Sequence, residues 1–179
     1  MRIHRSLIAS TIAVLLCGCK AQEEQPPKES EFRLTSPVRD IMGSMVMPSA
    51  DILWNAVATN ITDRGVEEKA PKSEEDWKSV RNSAVTLLEA SDLILMPGRH
   101  VAAPGEKEKE PGVNLAPEKI EALINGDRAA WIAMAHGLHD SVMPALKAID
   151  ARDSKALSDA GTGIDKACED CHLKYWYPK

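Results

Sequence analysis

Cysteines, aromatic residues and long apolar runs are scarce in this chain of 179 residues. Its 4 cysteines are too few for a disulfide-dense scaffold, and its N-terminal apolar stretch is too short to cross a bilayer comfortably. The formal net charge is -5, with acidic and basic residues interspersed, so the chain has no basic patch of the kind that binds nucleic acid. The length fits one domain with one core.

The N-terminus has the pattern of an export signal. A basic start at Arg2 precedes an apolar stretch over residues 7–16, which predicts a signal peptide. The stretch ends in Leu16-Cys17-Gly18-Cys19, which resembles the bacterial lipobox, whose last cysteine takes the lipid. We therefore predict a lipoprotein signal over residues 1–18, and a lipid anchor at Cys19 with a polar tether to residue 35. The expected location is the periplasmic face of a Gram-negative bacterial membrane. An ordinary signal peptide cut nearby is the alternative, which would give a soluble periplasmic protein.

Apolar residues spaced three and four apart predict four helices in residues 36–179. No segment alternates with period two, so the expected architecture is an all-α, antiparallel four-helix bundle. Residues 98–116 are rich in proline, glycine and charge, which predicts a long exposed loop. The first two predicted helices cover residues 36–62, with a bend at Pro48 and Ile61 in the apolar stripe, and 73–96, with a capping box from Ser73 to Asp76. The last two cover residues 117–150, with an interruption at Asn125-Gly126, and 154–178, with Ser154 as the cap.

The segment Cys168-Glu169-Asp170-Cys171-His172 matches Cys-x-x-Cys-His, the attachment signature of c-type haem. Two cysteines on one helical turn can reach the two vinyl groups on one edge of the porphyrin, and the adjacent histidine then reaches the iron. The motif predicts one haem bound covalently at Cys168 and Cys171, with His172 as an axial ligand of the iron.

Two other uses of the same cysteines stay open. A thioredoxin-like dithiol wants a βαβ unit nearby, which the sequence does not provide. A zinc site needs four ligands, and His136 and His139 on the third predicted helix are the residues that could join the motif. Both histidines, like His100 in the loop, are more simply explained as exposed polar residues.

Two glycines precede the motif by one to two turns. A helical glycine costs about 1 kcal/mol of stability but leaves room for a close neighbour. We expect Gly161 and Gly163 to let a helix or the haem approach the last helix closely. The tryptophans are expected to be core residues at positions 54, 77 and 131, and to touch haem at Trp176.

With its motif near the end of the last of four amphipathic helices, the chain resembles the class II cytochromes c, the cytochrome c prime family. The resemblance covers residues 36–179, and its specific part is residues 167–175. Tyr175 fits the family pattern Cys-His-x-x-Tyr-Arg, whereas Trp176 stands where a basic residue is usual. Low-spin members place a methionine of the first helix over the haem, and this helix holds Met42, Met45 and Met47. Helical spacing puts Met42 and Met45 on the inward face, so Met42, ahead of Met45, is the expected sixth iron ligand. The alternative is that all three methionines fill the core, as an apolar side chain does in the high-spin members. The expected haem-binding set is Cys168, Cys171, His172, Met42, Met45, Arg39, Tyr175 and Trp176.

An exported haem protein with no visible nucleophile or acid–base pair is best interpreted as a one-electron carrier and not as an enzyme. The alternative is a five-coordinate haem protein that binds a diatomic gas such as NO or CO. Redox proteins of the periplasm or the membrane are the expected partners. A homodimer is left open.

Overall fold

The computed structural model describes residues 31–108 and 110–177. One compact unit begins at Phe32 and contains all the described helices and strands. The predicted signal peptide, Cys19 and the tether up to residue 30 lie outside the described residues. None of the described helices is long and apolar enough to span a membrane. The elements are α1 (Val38–Ile41), a π-helical turn (Met42–Val46), α2 (Met47–Trp54), β1 (Ala58–Thr62), β2 (Gly65–Lys69), α3 (Glu74–Leu93), α4 (Pro117–Gly126), α5 (Arg128–Asp150) and α6 (Ser154–Tyr175).

The helices share one apolar core. α5 packs against α6 and α3, while α2 packs against α3 and α6. The prediction of a predominantly helical chain is therefore confirmed, with a short sheet added to it. The largest fully buried side chains are Leu87, Ile120, Trp131, Leu157, Ile164 and Tyr175.

The first predicted helix is divided into three parts around a π-helical turn. Pro48 has no backbone N–H to donate to the carbonyl of Ser44, and its ring crowds that carbonyl. The preceding turn widens, and the N–H of Met47 donates to the carbonyl of Met42, five residues back. The bend predicted at Pro48 is thus present as a π-helical turn just before it.

The predicted end of this helix at residue 62 is wrong. α2 ends at Trp54, and a β-hairpin follows in which Ile61 pairs with Val66. Gly65 has φ +122°, which only glycine adopts readily, and it closes the turn between the strands. Ile61, assigned from its spacing to the buried stripe of a helix, is 85% exposed.

Local capping explains the boundaries of the longer helices. The capping box predicted at the start of α3 is confirmed, since Asp76 N donates to Ser73 Oγ (3.1 Å) and Ser73 N donates to Asp76 Oδ2 (2.9 Å). The interruption predicted at Asn125-Gly126 is also confirmed, because α4 ends at Gly126 and Asp127 caps α5. The cap of α6 is Asp153 and not Ser154, which is the first helical residue.

The loop between α3 and α4 is exposed in its middle but fastened at both ends. Val38 N and Arg39 N donate to the carbonyls of His100 (2.9 Å) and Val101 (3.0 Å), which satisfies the first N–H groups of α1. At the other end, Leu115 N donates to the carbonyl of Trp176 (2.8 Å). The loop therefore joins the start of α1 to the end of α6, which the prediction of a simple exposed loop missed.

A close approach between α2 and α6 occurs at Gly161, as expected. Trp54 Nε1 donates to the carbonyl of Gly161 (3.2 Å), and a Cβ at this glycine would lie 3.3 Å from Trp54 Cδ1. No described atom approaches the corresponding position of Gly163 within 4 Å. One of the two glycines thus has the expected role, with a tryptophan as its neighbour.

Candidate functional site

A cavity of about 340 Å³ lies between the first helical segments, α5 and α6. Its volume falls within the roughly 300–1,000 Å³ of typical cofactor sites, and apolar side chains dominate its walls. Ile94, just after α3, and Asn114, in the long loop, complete the enclosure. The cavity is lined by Arg39, Met42, Gly43, Val46, Met47, Ile94, Asn114, Met134, Ala135, Leu138, Ala167, Cys168, Cys171, His172, Trp176 and Tyr177.

The cysteine motif forms the α6 wall of this cavity. Cys168 and Cys171 are free thiols, half-buried, and both line the cavity because residues three apart share one face of a helix. Burial raises the pKa of the Cys168 thiol to about 11 and that of the Cys171 thiol to about 12. Both sulfurs are therefore protonated at neutral pH, unlike the thiolates of reactive dithiols.

His172 lies beside the cysteines and between two aromatic rings. Its ring centroid is 6.0 Å from that of Trp176 and 6.0 Å from that of Tyr177. Burial lowers the pKa of the imidazole, although Glu169 opposes the shift. The neutral imidazole, which is the form that ligates metals, is thus favoured at neutral pH.

Tyr177 lines the cavity but was missed by sequence analysis, because it follows the end of α6 and matches no motif. Its N–H donates to the carbonyl of His172 (3.1 Å), as does that of Trp176 (2.8 Å), so the last turn folds both rings back over the motif.

The first helical segments form another wall, on which the structure places Met42 and Met47. These two residues are joined by the backbone hydrogen bond of the π-helical turn, which aligns positions five apart. Met42 and Met45 both pack against the core, but Met45 is not among the residues that line the cavity. Met134 of α5 also lines the cavity, and nothing local in the sequence distinguishes it from a core methionine.

Arg39 reaches the cavity, but its guanidinium is held by the long loop. Arg39 Nη2 donates to Glu108 Oε2 (2.9 Å), and Nη1 lies 3.5 Å from Glu106 Oε1. Asn114 Nδ2 donates to Glu108 Oε1 (3.3 Å). No sequence pattern links the two glutamates to Arg39, because they lie far from it along the chain.

Tyr175 is a core residue and does not line the cavity. Its ring packs edge-on against Trp131, with centroids 5.2 Å apart, and the residue is 0% exposed. Its hydroxyl and Trp131 Nε1 have no hydrogen-bond partner among the described residues. Tyr175 therefore packs α6 against Trp131 of α5 and does not contribute to the cavity wall.

The histidines proposed for a zinc site stay away from the motif. His136 is exposed, and His139 Nδ1 lies 3.4 Å from Asp140 Oδ1. The described part of the chain contains no cluster of three or more His, Cys, Asp or Glu residues that could hold a metal ion. The arrangement lacks the four-ligand set that a structural zinc site requires.

No protein-family model and no curated protein matches the chain. Two solved structures are similar to it, both nitric oxide complexes of mutants of cytochrome c prime from Alcaligenes xylosoxidans. One shares 19% identity at a TM-score of 0.47 and covers 81% of this chain and 100% of that chain. The other shares 18% identity at a TM-score of 0.47, with 82% and 100% covered. Similarity at this level assigns no function, which rests on the residues of the site.

Proposed function

We propose that the protein is an exported c-type cytochrome that carries one covalently bound haem and transfers single electrons. One observation carries this proposal: a largely apolar cavity has Cys168, Cys171 and His172 on one wall and the thioethers of Met42 and Met47 on another. A dithiol oxidoreductase is disfavoured, because burial raises the pKa of both thiols.

The residues of the cavity fit a haem. Cys168 and Cys171 share one face of α6 and would form the two thioether bonds, while the neutral imidazole of His172 would ligate the iron. The apolar walls suit the faces of a porphyrin. When bound, the haem supplies an iron that takes up and releases one electron, and the protein tunes it through ligands and burial.

The sixth position of the iron decides how the haem is used. Met42 is the proposed ligand, because it lines the cavity from the first helical segments and its thioether suits both oxidation states of iron. Met45 is not among the residues that line the cavity, so the proposal names Met42 ahead of it.

Binding of a diatomic gas is the second candidate function. Gly43 lies beside Met42 in the wall, and a Cβ at this glycine would meet no described atom of another element within 4 Å. This space would admit a small ligand if no thioether reached the iron.

The proposal extends to the cellular setting. The domain would be an antiparallel four-helix bundle, in which α1, the π-helical turn and α2 together form the first helix. It would be attached through a lipid on Cys19 to the periplasmic face of a Gram-negative membrane. Its partners would be redox proteins of the periplasm or the membrane, without an enzymatic activity of its own.

Expression with a c-type maturation system tests the proposal. The protein should keep one haem through denaturation and acid–acetone extraction, whereas the Cys168→Ser/Cys171→Ser double variant should lose it. Each single variant serves as a control, because one thioether bond should remain and shift the pyridine haemochrome band. A wild-type protein without haem, or a double variant that keeps it through extraction, would contradict the proposal.

A further inference from the structure

A buried carboxylate from the long loop holds two polar side chains of the cavity wall. The Glu108 side chain is only 7% exposed, and its Oε2 accepts from Arg39 Nη2 at 2.9 Å. Its Oε1 accepts from Asn114 Nδ2 at 3.3 Å. The Arg39 side chain is 16% exposed, so the ion pair is largely withdrawn from water.

Arg39 and Asn114 are themselves part of the cavity lining, among mostly apolar neighbours. Of the described residues that line the cavity, Arg39 alone carries a permanent charge. Glu108 therefore holds both side chains in place and adds a negative charge beside them.

Two carboxylates face this single guanidinium. Glu106 Oε1 lies 3.5 Å from Arg39 Nη1, and the Glu106 side chain is 29% exposed. Glu108 lies nearer to the guanidinium than Glu106 and is less exposed, so its negative charge is less screened by solvent. Negative charge beside an iron stabilises its oxidised state.

We propose that Glu108 is a positioning residue that fixes Arg39 and Asn114 in the cavity wall and lowers the reduction potential of the haem. The inference rests on the function proposed above. It gives the long loop a second role. The loop fastens the start of α1 and the end of α6, and it also carries the Glu108 carboxylate that would lower the reduction potential of the haem.

Removing either charge of the Arg39–Glu108 pair should shift the reduction potential of the haem, in opposite directions for the two residues. Glu108→Gln removes a negative charge, keeps the size of the side chain and should shift the potential to more positive values. Arg39→Gln removes a positive charge and should shift it to more negative values. In the double variant Arg39→Gln/Glu108→Gln, the two shifts should largely cancel.

Glu106→Gln is the matched control, because it removes the same charge from the same loop at a carboxylate that is farther from the Arg39 guanidinium and more screened by solvent. Its shift should have the sign of the Glu108→Gln shift and be clearly smaller. The measurement is a spectroscopic redox titration of the holoprotein, with haem content determined separately from the pyridine haemochrome. A general loosening of the loop would move the potentials of both single variants of the pair in one direction.

Equal shifts for Glu108→Gln and Glu106→Gln, the same sign for Arg39→Gln and Glu108→Gln, or no shift in either would overturn the inference. If Glu108→Gln fails to incorporate haem, the double variant is compared with Arg39→Gln. The inference then requires the double variant to have the more positive potential. Absence of covalent haem from the wild type would instead refute the proposed function itself.

Discussion

At the scale of single residues, three methionines line the same cavity as the cysteine motif and are candidates for the sixth ligand of the iron. Met42 and Met47 lie one π-helical turn apart, and Met134 approaches from α5. Met47 is 44% exposed, which places part of its side chain at the mouth of the cavity, whereas Met42 is half-buried. Burial favours Met42 as the ligand, since a thioether inside the cavity is protected from water.

Met42→Ala should therefore convert the oxidised protein from low spin to high spin and let the reduced protein bind carbon monoxide. Loss of the thioether opens the sixth position of the iron, which the gas can then occupy. Absorption spectra of both oxidation states, with and without carbon monoxide, measure this change.

Met45→Ala is the matched control, because this side chain packs against the core and not into the cavity. Its spectrum should remain that of the wild type. Low-spin spectra in Met42→Ala together with high-spin spectra in Met47→Ala would assign the ligand to Met47. A wild-type protein that is already high-spin and binds the gas would favour the second candidate function.

At the scale of elements, the capping box in the first turn of α3 should contribute to the stability of the fold. Ser73→Ala removes the hydroxyl that accepts from Asp76 N, and this change should cost about 1 kcal/mol of unfolding free energy. Urea unfolding at neutral pH measures the loss. Ser79→Ala, an exposed change within the same helix, should alter stability by less than about 0.5 kcal/mol.

The capping box also predicts a pH dependence. Backbone hydrogen bonds from Ser73 and Lys72 lower the pKa of the Asp76 carboxyl below 3.8. A carboxylate with a lowered pKa stabilises the fold above the unfolded value, and this contribution is lost as the pH falls through the folded value. The stability difference between wild type and Asp76→Asn should accordingly shrink under acid conditions, and a difference that grew would contradict this account.

The boundaries of elements show where a sequence pattern stops being informative. The capping box of α3 and the break at Asn125-Gly126 were predictable, because each depends on residues within one turn. The hairpin was missed although Gly65 and the β-branched residues from Thr59 to Thr62 signal it, since Ile61 also fitted the helical spacing. Propensity and turn chemistry outweighed that spacing.

The residues of the candidate site also fall into those that a local motif predicts and those that only tertiary packing brings to the cavity. Cys168, Cys171 and His172 were predictable because one helical turn holds all three. Met134 and Asn114 were not, because they reach the cavity only through the packing of α5 and the course of the long loop. α-Helical spacing places Met42 and Met45 on one face, whereas the π-helical turn changes this spacing, and Met42 and Met47 line the cavity.

At the scale of the whole molecule, the lipid anchor predicted at Cys19 would hold the protein at a membrane. Mass spectrometry of the mature N-terminus should find diacylglycerol on Cys19, because the lipid is attached to the cysteine that follows the signal. Cys19→Ala should release the protein into the soluble periplasmic fraction with its haem spectrum unchanged. An unmodified N-terminus downstream of Cys19 would contradict the lipoprotein prediction and leave ordinary secretion.

The exposed hairpin has a practical consequence. All its residues except Ala58 are exposed, and α3 extends over about 30 Å from the hairpin to Ile94 at the cavity. None of the hairpin residues lines the cavity, so a spin label or a chemical linker placed at the exposed Asp63 or Arg64 should leave the cavity clear. Immobilised on an electrode through this handle, the molecule would keep its cavity accessible, and the electron exchange proposed above could be measured directly.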